Sequence, residues 1–191
     1  MRLSMKGRTA AMSGLVLAFT IASAAPAFAQ YSNQATGLGI RGLGVRIGLT
    51  DPEDASSALM YGVHVDAGTI VSNVRLIPSL EYWSVGTDVG IYNTDCSDLA
   101  VKVDANVDFP LQDQRLVPYL GGGIGLHRVK FDSNVPGVAD ASDNKIGFSL
   151  QGGLRNEFTP NLSLFGELGY SFVENANQLR LLGGFTYKFV Y

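Results

Sequence analysis

Apolar and polar residues alternate with a period of two along most of this chain, most cleanly in "LSLFGELGYSF" at 162–172. Leu162, Leu164, Leu168, Tyr170 and Phe172 fall on one face there, and Ser163, Glu167, Gly169 and Ser171 on the other. "DLAVKVDANVDF" (98–109) repeats the pattern, setting Leu99, Val101, Val103, Ala105, Val107 and Phe109 against Lys102, Asp104, Asn106 and Asp108. "KIGFSLQGGLRNEF" (145–158) does so again, with Ile146, Phe148, Leu150 and Leu154 opposite Lys145, Ser149, Gln151, Arg155 and Glu157. A period of two is that of an extended strand whose faces meet different surroundings. No helical period competes with it beyond the first thirty residues.

Five further strands complete the pattern at roughly 37–49, 58–70, 74–85, 116–130 and 178–190, making about eight in all by the strand signals of alternation and turn residues. Pro78 and Pro118 read as strand-end or local defects, because proline removes a ladder donor. The glycines of "PYLGGGIGLHRVKF" suggest a bulge. The connections at 50–57, 86–98 and 131–144 are long, and those at 71–73, 110–115 and 158–161 are short; the one at 174–177 is also short. In an up-and-down meander this places the longer loops at one end and the tight turns at the other, with both termini.

Alternation alone does not say which face looks inward. A soluble lipocalin-like barrel or a sandwich would bury the apolar face, whereas a transmembrane barrel turns it to lipid. Three features favour lipid. Tyr61, Tyr82, Tyr170 and Phe172 lie at the long-loop end of the apolar face, and Phe109, Phe158, Tyr187 and Phe189 at the other, which makes two aromatic belts. The polar face carries Arg46, His64, Asp66, Arg75, Glu81, Lys102, Asp104, Asp108, Lys145, Arg155, Glu157, Glu167, Arg180 and Lys188. These charges are nearly balanced in sign and interleaved with small residues, which suits a lumen just wide enough to be filled by side chains. The even strand number and the loop asymmetry are the third. The expected fold is therefore all-β, an eight-stranded antiparallel up-and-down transmembrane β-barrel.

The N-terminus adds a route of export. Arg2, Lys6 and Arg8 precede a short apolar run, and Ala27-Phe28-Ala29 forms an A-x-A-like cleavage site before Gln30. This predicts a signal peptide over 1–29, cut between Ala29 and Gln30, and a barrel over 30–191. Three of the 14 Lys/Arg and none of the 17 Asp/Glu lie in 1–29, so the remainder has 11 basic and 17 acidic residues, a net charge of −6. That balance argues against a nucleic-acid partner. The lone Cys96 cannot form an intrachain disulfide.

Little chemistry stands out. No metal-ligand spacing, phosphate-binding loop or nucleophile elbow is present, and no cofactor is expected. His64 and His127 lie far apart in sequence, and His127 has no serine at a hydrolase-like spacing. The connections at the long-loop end are acidic and free of Lys and Arg: Asp51, Glu53, Asp54, Asp88, Asp95, Asp98, Asp132, Asp140, Asp143 and Glu174 lie in them. Hard carboxylate oxygens there could bridge divalent cations to an anionic surface.

The chain resembles the outer-membrane β-barrel family, specifically the small eight-stranded barrels of the OmpA/OmpX type. The terminal "GGFTYKFVY" carries the most specific match, a closing strand with Gly184 followed by Tyr187 and Phe189 at alternate positions. The family ends at its last aromatic, whereas Val190 and Tyr191 follow here, so either Phe189 or Tyr191 is the terminal one. The resemblance implies residence in the outer membrane of a Gram-negative-type envelope. Its implied partners are outer-membrane lipid, lipopolysaccharide and the barrel-assembly machinery that reads the last strand. It also implies a non-enzymatic structural or surface-interaction role with an unidentified loop partner. A small passive pore is the alternative, and a soluble ligand-binding barrel a more distant one.

Overall fold

The structure is a computed structural model, which describes residues 37–53, 56–89, 92–111, 115–135, 140–174 and 176–189. The proposed cleavage residues Ala27, Ala29 and Gln30, together with Asp54 and Tyr191, lie outside that set. Eight strands run in order: β1 Gly37–Pro52, β2 Ala58–Val71, β3 Val74–Val89, β4 Tyr92–Asp108, β5 Leu116–Ser133, β6 Ala141–Thr159, β7 Leu162–Val173 and β8 Gln178–Lys188. Each pairs antiparallel with the next, and β8 pairs with β1 from Gly42↔Lys188 to Pro52↔Gln178, closing the barrel. Closure leaves no sheet edge, so every strand finds partners on both sides.

Period-two alternation becomes inside and outside. Along β6, Ile146, Phe148 and Leu150 are exposed while Gly147, Ser149 and Gln151 are buried. Ile146 is 66% exposed and Leu150 62%, so the outer wall is apolar and solvent-accessible, the inverse of a soluble core. The belts form on this wall. Tyr61 packs tilted against Tyr82 at 5.5 Å and Tyr170 edge-on against Phe172 at 4.8 Å toward one end, and Tyr187 meets Phe189 edge-on at 6.0 Å at the other. Apolar walls ringed by aromatics are what a bilayer's hydrocarbon and headgroup layers select. Among the described residues no helix is long and apolar enough to cross a membrane.

The structure corrects several details. The connection expected over 86–98 is mostly strand, because β3 continues to Val89 and β4 begins at Tyr92. The one expected over 131–144 shrinks to the residues between Ser133 and Ala141. Beyond the apolar band both faces of a strand meet water, so alternation disappears from the sequence while the ladder persists. The glycine-rich β5 has no bulge, its register with β6 being unbroken from Leu116↔Asn156 to Phe131↔Ala141. Its glycines make room instead. A Cβ at Gly121 would collide with Asn106 Oδ1, and one at Gly123 with Asp104 Oδ1. Pro78 sits where the β2–β3 ladder breaks, between His64↔Ser79 and Thr69↔Arg75, so its missing N–H costs no regular bond.

Candidate functional site

The inward face converges on three layers of side chains. The middle layer is built around Glu81 of β3. Its Oε1 accepts Arg46 Nη1 from β1 at 2.7 Å, and its Oε2 accepts Arg180 Nη1 from β8 at 2.7 Å. Lys102 of β4 stands 3.6 Å from the same carboxylate and 3.5 Å from Asp104, whose other oxygen accepts Ser149 Oγ at 2.8 Å. The side chains of Glu81, Arg46, Arg180 and Lys102 are all 4% exposed or less. Charges removed from water this completely must be paired, and Glu81 serves three cations at once: it hydrogen-bonds the two arginines and holds Lys102, whose Nζ makes no hydrogen bond, by charge alone.

Toward the end that holds the termini, Asp108 plays the same part. Arg75 donates Nε and Nη2 to its two oxygens at 3.0 Å each, and Arg155 donates Nη1 and Nη2 at 3.2 and 3.0 Å. Two bidentate guanidiniums thus clamp a single carboxylate. Arg75 also lies 3.5 Å from Asp66, and Arg155 Nε donates to Glu157 at 2.8 Å. Lys188 pairs with the other oxygen of Glu157 at the barrel's edge. Between these two layers Tyr119 donates its hydroxyl to Glu167 at 2.9 Å, and His64 Nε2 bonds Thr186 Oγ1 at 2.8 Å with Phe165 edge-on to its ring. The space left there is about 20 Å³.

Toward the opposite end the lumen is capped by packing. Ala58, Met60, Trp83 and Leu182 form a buried apolar cluster against which Val85 and Cys96 lie. Trp83 Nε1 donates to Gln178 Oε1 at 3.1 Å, Gln178 Nε2 donates to Asp98 Oδ2 at 2.9 Å, and His127 Nδ1 bonds the same Asp98 oxygen at 2.7 Å. The crevice lined by Asp98, His127, Ser171 and Arg180 is too narrow to admit a water molecule.

Two residues depart from their expected places. Asp98 is not in an exposed loop: it is 2% exposed on β4, with inward parity, and ties the cap together. Lys145 has inward parity but stays at the rim, where Nζ donates to the Glu174 carbonyl at 2.7 Å, outside the buried network. Asp51, Asp95, Asp132, Asp140, Asp143 and Glu174 are exposed near that rim, most of them on strand ends. There Glu53 Oε2 accepts Asn177 Nδ2 at 2.8 Å, linking the first and last connections of that end. Among the described residues no three His, Cys, Asp or Glu side chains gather as a metal site. Sequence reasoning missed Trp83, Tyr119, His127, Phe165 and Gln178 as lumen residues. Inward parity was the available signal; for Phe165, in the most regular segment of all, it was masked by an apolar side chain on the otherwise polar face.

In the terminal strand, Phe185 and Tyr187 face outward, while Thr186 is buried and Lys188 reaches Glu157. The backbone N–H of Phe189 donates to the Arg41 carbonyl at 2.8 Å. Gly184 has a packing reason of its own, because a Cβ there would meet the Val45 carbonyl and lie 2.7 Å from Phe165 Cζ.

The outer membrane protein β-barrel domain matches residues 15–189. No curated protein matches the chain. Among solved structures, neisserial surface protein A (NspA) is similar at a TM-score of 0.64 and 22% identity, over 80% of this chain and 99% of that one. Ail, the attachment invasion locus protein of Yersinia pestis, solved with the heparin analogue sucrose octasulfate, gives 0.52 and 14% over 78% and 95%. The N-terminal β-barrel domain of Pseudomonas aeruginosa OprF gives 0.50 and 17% over 79% and 99%. At these identities the neighbours speak for the fold, and the domain match speaks for the family. With its apolar outer wall and closed eight-strand topology, the chain belongs to the outer membrane protein β-barrel family and resides in the outer membrane.

Proposed function

We propose that this barrel is a non-conducting, non-enzymatic outer-membrane protein that acts through its wall and its loop-bearing end. The filling of the lumen carries this reading. Ionic layers around Glu81 and Asp108 and the cap around Trp83 fill the bore at three depths, and the crevice beside Tyr119 and His64 between the ionic layers measures about 20 Å³. A passive pore needs a continuous aqueous path, which an eight-stranded bore filled by side chains does not offer. The Asp98–His127 pair has the geometry of a base and its orienting acid, but no serine hydroxyl bonds His127 among the described residues, and no space for a substrate adjoins it.

The Ail structure holds a sulfated ligand. Here the loop-bearing end presents Asp51, Asp95, Asp132, Asp140, Asp143 and Glu174, whose charge disfavours a polyanion at the tips and suits a partner of opposite sign. Gly184, Tyr187 and Phe189 in the closing strand support its reading by the assembly machinery during insertion. Purified barrel in a planar bilayer should give no stable unitary current. Reproducible, size-selective conductance would sink the closed-lumen reading.

A further inference from the structure

The strands do not end at one height. β6 reaches out to Ala141, yet its ladder with β7 stops at Gly147↔Val173, and β3 runs to Val89, yet its ladder with β2 stops at Met60↔Trp83. Between them β3, β4, β5 and β6 stay paired as far as Val89↔Tyr92, Thr94↔Ser133 and Phe131↔Ala141. A four-stranded sheet therefore stands above the rest of the rim, beyond the apolar band, at the end opposite the termini. Its two faces differ. On the face that continues the outer wall, one cross-strand row reads Ser84, Ser97, Lys130 and Ser142. The adjacent row, on the face that continues the lumen, reads Val85, Cys96, Phe131 and Ala141.

The β3–β4 half of that apolar row serves the cap, because Val85 and Cys96 pack against Ala58, Met60, Trp83 and Leu182. The β5–β6 half stays open: Phe131 is 37% exposed and Ala141 is exposed, with Val129 half-buried in the row below. Asp143 is exposed opposite Val129 on the same face, and the exposed Glu174 stands nearby, its carbonyl taken by Lys145 Nζ at 2.7 Å. That bond engages the cation of this face, whereas the carboxylates of Asp143 and Glu174 form no ion pair among the described residues. This apolar surface faces the barrel axis, so lipid does not cover it, and it lies above the packed cap, so the lumen does not either. Apolar side chains held in water beside unpaired carboxylates mark a surface made for a partner.

We infer that the inner face of the β3–β6 extension is a docking surface for a cationic, amphipathic segment of a partner protein. Its apolar side chains would lie on Phe131, Val129 and Ala141, and its Lys or Arg would meet Asp143 and Glu174. The low rim of β7, β8, β1 and β2 leaves the side opposite this face open to an incoming chain. The inference rests on the reading that this end faces outward and suits a partner of opposite sign. It is independent of whether the lumen conducts, so the bilayer recording and the test below fail separately.

The test uses the full barrel in nanodiscs of phosphatidylcholine and a labelled hexapeptide of alternating lysine and leucine, read by fluorescence anisotropy against empty nanodiscs. Wild-type barrel should bind the peptide saturably above that baseline. Phe131→Ser, in a barrel whose heat-dependent gel shift is unchanged, should weaken binding about tenfold, as expected for losing the burial of part of an aromatic side chain. D143N/E174Q should weaken it roughly fivefold, and raising the salt should weaken wild-type binding in the same direction. Lys130→Gln, on the other face of the sheet, should change nothing. Peptides alternating lysine with serine, or glutamate with leucine, should bind the barrel no better than empty nanodiscs. Equal binding by wild type and Phe131→Ser, or a preference for the glutamate peptide, would overturn the proposal. So would self-association of the wild-type barrel that Phe131→Ser abolishes, which would assign the face to a second copy of this chain.

Discussion

The Glu81 cluster and the Glu157–Lys188 pair are made of the same chemistry, yet they sit in different amounts of water. Glu81 is 3% exposed and Arg180 1%, whereas Glu157 is 23% and Lys188 28% exposed. At the centre, three cations lose their hydration and converge on one carboxylate, with Asp104 as a second partner for Lys102 alone. At the rim, solvent competes for both partners and salt screens them. The difference teaches that ion pairs in this lumen are graded by depth: the central ones are required, because an orphaned charge has nowhere to go, and the outermost is close to dispensable.

Three substitutions test that gradient. Glu81→Ala should be the most damaging, leaving Arg46, Arg180 and Lys102 facing one another. A loss of about 3–5 kcal/mol, the range for removing one partner of a buried ion pair, should appear in reversible urea unfolding from lipid vesicles. Asp108→Asn keeps the shape but removes the charge that two bidentate arginines share, and those arginines retain Asp66 and Glu157 as neighbours. An intermediate loss of about 1.5–3 kcal/mol, typical of hydrogen bonds to charged groups, is expected by the same method. Lys188→Gln should cost no more than about 1 kcal/mol, with the effect shrinking further as salt rises. If Lys188→Gln matched Glu81→Ala, burial would not be what sets the worth of these pairs.

The fold was legible because lipid and lumen impose opposite polarity on successive residues, and eight runs of alternation survive in the sequence. The strand ends were not. Thr94, Asp95, Ser97, Asp132 and Ser133 lie on strands that have left the apolar band, where composition reads as loop although the ladder continues. For that reason Asp98, the shared acceptor of the cap, reads as part of a connection, while Lys145 reads as a lumen residue by its inward parity alone. Inward parity named most of the buried charges, but their partners were beyond it. Glu81 meets Arg46 and Arg180 across the bore from strands β1 and β8, and only the register of the closed barrel brings those three side chains to one level. The roles of Gly121 and Gly123 were hidden for a similar reason, since the side chains that need the space come from the neighbouring strand.

The β1–β8 seam has a consequence for timing. Gly42 pairs with Lys188, and the Phe189 N–H reaches the Arg41 carbonyl, so the ladder that shuts the barrel joins residues separated by nearly its whole chain. Every other ladder is a hairpin between sequence neighbours and can form early, whereas this one carries the largest loop-closure entropy in the molecule. The seam is therefore the last step of assembly. Until it forms, β1 and β8 are both unpaired edges, and the Glu81 cluster, which draws Arg46 from one edge and Arg180 from the other, is complete only once the seam is.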